Sequence, residues 1–245
     1  MPDVRIPSGP GDVDGIDGYL AVPPTGEGPW PAVVVVHDAF GLGDAIRAHA
    51  DRLATAGYLA VAPDLYSRGG MLRCVRQTFR SMVTRSGQAF DDIEATRRFV
   101  LLRGDCTGKV GVIGFCMGGG FALGLVDRGF DVSAPNYGRL PRDLEHLLEH
   151  ACPVVASYGG RDRTLRGAAA ELKAALEARG IPHDVKEYPD AGHGFMERHD
   201  LGPATRLVRV AGLGYHHDSA EDAWGRILRF FGEHLAGTGG GTDQE

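Results

Sequence analysis

The chain has 245 residues, of which 43% are hydrophobic and 24% charged, with a formal net charge of −6. This is the balance of a globular protein with enough apolar side chain for one large core, and it excludes a disordered bulk. The acidic balance, with no long Lys/Arg run, lacks the electrostatic footprint needed for nucleic acid or an anionic membrane.

Strand-like and helix-like runs alternate along the chain, which predicts an α/β fold with a mostly parallel central sheet and helices on both faces. An early strand is expected at 18–23, and the continuous run AVVVVH at 32–37 predicts a strand buried on both faces. Helical spacing of Ile46, Ala50, Leu53 and Ala54 predicts a helix over 44–57 that stops at Gly57, followed by a strand at 58–63. Residues 64–87 break the rhythm with arginines among apolar residues and predict a cap or insertion carrying a short helix. A helix at 88–103 follows, then a strand at 109–114 and a helix from about Met117. The remaining strands are expected at 131–137, 153–159 and 183–188, with helices at 141–149 and 167–179 between them. The stripe Ala220, Ala223, Trp224, Ile227, Leu228 and Phe231 predicts a last helix, with Ser219 as N-cap and Asp222 three residues on. These elements make one domain over 1–236, and the glycine-rich 237–245 is expected to be a disordered tail.

The N-terminus has no charged segment leading into an apolar one, and no run approaches the roughly 18 apolar residues of a membrane span, so the expected location is cytoplasmic. Four scattered cysteines, Cys74, Cys106, Cys116 and Cys152, show no C-x-x-C spacing and read as free thiols. His199, His216 and His217 lack metal-ligand spacing, so no metal is expected.

The strongest local signal is the strand VGVIG running into Gly114-Phe115-Cys116-Met117-Gly118-Gly119-Gly120, the pattern G-x-Nuc-x-G with cysteine at the centre. Small flanking residues let strand and helix approach around a strained turn that pushes the central side chain out at the sheet edge. The same turn sets the sulfur at a helix N-terminus, where free N–H groups favour negative charge. The bland reading is a small buried thiol in a glycine-rich βα turn. No GK[ST] follows, which argues against a phosphate cradle.

A nucleophilic thiol needs a base, and in this kind of turn the partners follow in the order nucleophile, acid, base. Gly159-Gly160-Arg161-Asp162 ends one predicted strand, and Pro189-Asp190-Ala191-Gly192-His193-Gly194-Phe195 ends the next. Asp162 and His193 are therefore the candidate acid and base, with Asp162 orienting the imidazole. Each has an ordinary alternative, a turn aspartate and a solvated loop histidine. The two together, in order and at successive strand ends, favour the catalytic reading.

With these motifs in place the chain resembles the dienelactone hydrolase family of α/β-hydrolases from about residue 16 to 235. The resemblance is carried by VVVVHDAFGL, GYLAVAPDLYSR, KVGVIGFCMGGGFAL, SYGGRDRTL and EYPDAGHGF. It implies a hydrolase for a small-molecule ester or lactone, working through a thioester acyl-enzyme without a cofactor, with the N–H groups of Ala39 and Met117 as oxyanion hole. Asp38 stands where dienelactone-cleaving members carry a glutamate beside the thiol, one methylene longer. Glu197 precedes Arg198 where those members place a carboxylate-binding arginine. Phe40, Tyr137, Phe195 and Arg198 are the candidate substrate contacts, and Arg73, Arg76 and Arg80 could also pair with a carboxylate. A thiol-based redox sensor or ligand-binding protein on the same fold, or an acyltransferase, is the competing expectation. Oligomeric state is not readable from these motifs.

Overall fold

The computed structural model describes residues 3–7, 15–198 and 214–236. His199 and the expected tail at 237–245 lie outside these residues. The sheet comprises β1 (Asp3–Ile6), β2 (Ile16–Ala21), β3 (Trp30–Val36), β4 (Leu59–Pro63), β5 (Cys106–Phe115), β6 (Val132–Asn136), β7 (Val154–Gly159) and β8 (His183–Tyr188). They lie in the order β1-β2-β4-β3-β5-β6-β7-β8. The pairs β1/β2 and β2/β4 are antiparallel, and every pair from β4 through β8 is parallel. The helices are α1 (Asp44–Thr55), α2 (Met71–Thr84), α3 (Gln88–Leu101), α4 (Met117–Gly124), α5 (Leu144–Leu147), α6 (Ala168–Ala178) and α7 (His217–Leu235).

The two-faced burial of the sheet explains its unbroken apolar runs. Val33 and Val35 of β3 join the core under α1 and α7, while Val34 and Val36 join the core under α3 and α4. Each of the four is fully buried, worth roughly 1.5–3 kcal/mol relative to exposure. After β3 the chain leaves to α1 on one face, and after β5 it leaves to α4 on the other. The crevice where such connections diverge, at the carboxyl ends of the strands, is where open α/β sheets bind ligands.

Three expectations are corrected. Strand β1 was not anticipated, because its four residues have no apolar run and acquire strand character only by pairing with β2. The 64–87 segment carries fourteen helical residues in α2 instead of a short helix. Ser219 does not cap the last helix. The His216 N–H is pinned to the Phe195 carbonyl at 2.9 Å, so α7 starts at His217 and Ser219 is buried inside its first turn, bonded to His216 Nδ1. Asp222 is not a capping partner, and instead accepts hydrogen bonds from the Tyr188 hydroxyl and Lys186.

An unforeseen buried charge ties α7 to the strands that carry the site. The Arg226 guanidinium pairs with Asp184 and also donates to the carbonyls of Ala156 and Asp184 and to the hydroxyls of Ser157 and Tyr188. Among the described residues no helix is long and apolar enough to cross a membrane.

Candidate active site

The loops after β5, β7 and β8 bring three side chains to one point. Cys116 lies between β5 and α4 with φ 54° and ψ −111°, a region that costs a non-glycine residue of order 1–3 kcal/mol. The glycines around it are required by contact. A Cβ on Gly114 would strike the Gly118 carbonyl, one on Gly118 the Val36 carbonyl, and one on Gly119 the Asn136 carbonyl. The Cys116 N–H is held by Asn136 O at 3.1 Å, and the Cys116 carbonyl accepts the Gly120 N–H at 3.2 Å, which fixes the turn at both ends.

Asp162 follows β7 through Gly159 and Gly160. The Gly160 N–H bonds to Tyr188 O and the Arg161 N–H to Ala191 O, so the acid turn is laced to the strand and loop that carry the histidine. Asp162 Oδ1 accepts the Thr164 N–H at 2.9 Å and the Thr164 hydroxyl at 2.6 Å. The turn-capping role and the acid role are thus filled by different oxygens of one carboxylate, because Oδ2 is left for His193 Nδ1 at 2.6 Å. On the far side of that ring, Nε2 lies 3.0 Å from Cys116 Sγ. Carboxylate, imidazole and thiol form one hydrogen-bonded line.

The electrostatics follow the geometry. Burial alone would lower the His193 pKa, but the bonds to Asp162 and Cys116 outweigh it and push the value up to about 10. Burial acts to raise the Asp162 pKa, and the bonds from His193 and Thr164 overcome it and hold the carboxyl below its ordinary range. The edge of Tyr137 packs on His193 with ring centroids 5.4 Å apart. Tyr137 has φ 40°, and its hydroxyl donates to Glu197 Oε2 at 3.2 Å. Burial, with the Glu197 charge behind it, raises the Tyr137 hydroxyl pKa well above normal and keeps the proton on oxygen.

The other candidates are distributed differently. Ala39 lies in the turn after β3 and Met117 opens α4, and the Tyr66 hydroxyl reaches both, donating to Ala39 O at 3.2 Å and lying 3.8 Å from Met117 Sδ. Asp38 is buried, and its Oδ1 accepts the Phe40 N–H at 2.7 Å; among the described residues no hydrogen bond joins it to Cys116. Through this oxygen the side chain closes its own turn. Phe40 is 58% exposed at the tip of that turn. Phe195, expected in the pocket, is fully buried between Tyr137 and Tyr188 as part of the core. Arg198 stacks over Tyr215 at 4.1 Å and lines a separate cavity with Asp44, Arg52, Glu221 and Trp224. Arg76 and Arg80 border an open basin with Thr84 and Gln88, away from the thiol, and Arg73 is exposed.

The sequence reading missed Thr164, which a D-x-T spacing after a strand could have signalled as a side-chain turn. It also missed His37 and Tyr66, which read there as the end of a strand and part of an insertion.

Comparison with known proteins identifies the family. Residues 16–235 match the model of the dienelactone hydrolase family. A putative carboxymethylenebutenolidase of Methylorubrum extorquens is 32% identical, covering 94% of this chain and 79% of that protein. One of Yersinia pestis is 30% identical over 92% of this chain and 86% of its own length. Among solved structures, a putative dienelactone hydrolase from Klebsiella pneumoniae superposes with TM-score 0.77 at 27% identity, covering 95% of this chain and 98% of that one. With the elbow, acid turn and histidine loop all inside the matched span, the chain belongs to the dienelactone hydrolase family and is a hydrolase of that family.

Proposed function

We propose that the protein cleaves a small ester or lactone with Cys116 as nucleophile, His193 as acid and base, and Asp162 as the group that orients the imidazole. The observation that carries this is the continuous line from Asp162 Oδ2 through His193 to Cys116 Sγ, with spacings of 2.6 and 3.0 Å. The relatives' names add the substrate class.

The raised proton affinity of His193 keeps a second proton on the ring, on Nε2 facing sulfur, beside the one on Nδ1 held by Asp162. The thiolate attacks the carbonyl carbon and the π pair moves to oxygen, where the Ala39 and Met117 N–H groups receive the charge. Met117 is the first residue of α4, so its N–H has no acceptor within the helix and is available. As the tetrahedral centre collapses, His193 Nε2–H protonates the leaving alkoxide and a thioester remains on Cys116. Neutral His193 then takes a proton from water as its oxygen attacks the thioester, and collapse releases the acid and restores the ion pair. Asp162 stabilises the imidazolium in both halves without accepting its proton. The protein works as one domain on this reading, and its four free cysteines suit a reducing compartment such as the cytoplasm.

Hydrolysis of activated short-chain esters and lactones by wild type, Cys116→Ser, Cys116→Ala and His193→Ala tests the assignment, with mass spectrometry of the quenched enzyme to find an adduct on Cys116. Cys116→Ala and His193→Ala should each lose at least about a hundredfold in kcat. Wild-type activity in Cys116→Ala would refute the cysteine mechanism.

A further inference from the structure

His37, the residue after β3, is wholly buried between two backbone groups of opposite kind. The Leu65 N–H donates to its Nε2 at 3.1 Å, and its Nδ1 lies 2.6 Å from the carbonyl oxygen of Asp38. A backbone N–H only donates and a carbonyl only accepts, so one ring state satisfies both: neutral, with the proton on Nδ1. Burial lowers the ring's pKa and outweighs the carboxylates of Asp38 and Asp64 that act the other way.

The carbonyl that His37 holds belongs to the peptide whose other end is the Ala39 N–H, and a peptide unit is planar. Fixing its oxygen therefore fixes the direction of that N–H. The following peptide is held as well, since the Tyr66 hydroxyl donates to Ala39 O at 3.2 Å and the Phe40 N–H donates to Asp38 Oδ1 at 2.7 Å. Tyr66 also packs its edge on the His37 ring, with centroids 4.8 Å apart. Among the described residues no protein acceptor takes up the Ala39 N–H.

We infer that His37 is a positioning residue for the oxyanion site: its Nδ1–H clamps the Asp38–Ala39 peptide so that the Ala39 N–H points at the developing oxyanion. The inference rests on the proposed cysteine mechanism. Donation to the carbonyl end of a peptide also polarises its N–H, so the clamp strengthens the donor that it aims. The Leu65 contact joins this turn to the loop after β4, which makes the aim independent of the exposed Phe40 tip.

Two substitutions separate the two bonds. In His37→Asn the side-chain N–H₂ replaces the Nδ1–H donor while the acceptor for Leu65 is lost, and in His37→Gln the amide oxygen can take the Leu65 N–H while the donor to Asp38 is lost. With an activated acetate ester, His37→Gln should lose about tenfold in kcat with KM within about twofold, less than the roughly hundredfold or more expected for deleting an oxyanion donor outright. His37→Asn should lose less than about threefold. Inhibition by a short-chain aldehyde, whose hemithioacetal oxygen occupies the same donors, should weaken in His37→Gln in parallel with kcat. Alkylation of Cys116 by iodoacetamide, which develops no carbonyl oxyanion, should stay within about twofold of wild type. If Cys116 is essential yet His37→Gln keeps its kcat, or if alkylation falls as far as kcat, the His37 inference fails alone. If Cys116→Ala stays active, the mechanism beneath it fails. In wild type labelled with ¹⁵N-histidine, His37 should show a protonated Nδ1 and a bare Nε2 from pH 5 to 9; an Nε2–H tautomer or a titration in that range overturns the inference whether or not the variants fold.

Discussion

The elbow at Gly114–Gly120 and helix α2 are neighbours built to opposite rules. A Cβ on Gly120 would come within 2.5 Å of Met82 Sδ, so the two pack directly. The elbow side has no slack, with successive glycines pressed against the carbonyls of Val36, Gly118 and Asn136. The α2 side leaves Leu72 at 88% and Val83 at 61% exposure and sets Arg73, Arg76 and Arg80 in solvent. Chemistry that needs sub-ångström placement sits where the backbone cannot move. The exposed surface beside it has room for change.

The sharpest way to break this contrast is Gly118→Ala. Its Cβ would strike the Val36 carbonyl and come within 2.7 Å of the His37 carbonyl, two backbone atoms that cannot rotate away. A loss of at least about 3 kcal/mol in urea unfolding is expected, and a variant as stable as wild type would show the elbow to be looser than its contacts indicate. Asp162→Asn comes next. Its oxygen can keep both Thr164 bonds, but its amide would donate to His193 Nδ1 and leave the proton on Nε2, where the ring cannot serve as base. A fall of about a hundredfold in kcat, with Tm lowered by only a few degrees for the lost ion pair, is expected from ester assays and calorimetry.

The third test uses pH. The folded-state pKa of His193 is raised to about 10. Its stabilising contribution is therefore fully present below the unfolded value of about 6.5 and is lost as pH rises through about 10. Asp162, with a lowered pKa, contributes above about 3.8, and that part is lost as pH falls through its depressed value. The His193 side chain is 26% exposed, so solvent screening reduces the effect to roughly 1–2 kcal/mol. Unfolding free energy measured from pH 7 to 10.5 should decline by that much more in wild type than in His193→Gln, which corrects for tyrosines and lysines titrating in the same window. Equal slopes would show that the pair adds nothing to the fold. The smallest effect is expected for Leu72→Ser on α2: stability within about 0.5 kcal/mol and unchanged kcat on a small ester, by the same two measurements. A larger loss would mean that α2 is part of the rigid frame after all.

The elements legible in the sequence are those whose signal is local. The β3 run declared a strand buried on both faces, and the α1 stripe Ile46, Ala50, Leu53 and Ala54 is buried as expected. Cys116, Asp162 and His193 were legible as candidates because each stands in a glycine-marked turn at its own strand end, and the structure brings them within hydrogen-bond distance. Strand β1 was not legible, since four mostly unremarkable residues become a strand only when β2 lies beside them. Ser219 misled because a capping residue is recognised by local pattern, whereas the start of α7 was set by a bond from His216 to distant Phe195. Phe195 and Arg198 sit near His193 in the chain, yet one turns into the core and the other lies over Tyr215.

The sequence by itself determined the α/β architecture, the Cys116 turn and the order of its partners, because hydrophobic period, glycine placement and strand-end position are all written within a few residues. Only the tertiary structure decided that one Asp162 oxygen braces the turn while the other holds His193, that Asp38 folds back on Phe40, and that His37 holds the peptide of Ala39. Those are hydrogen bonds whose direction depends on which donor and acceptor the packed strands bring face to face, and chain spacing carries no record of that.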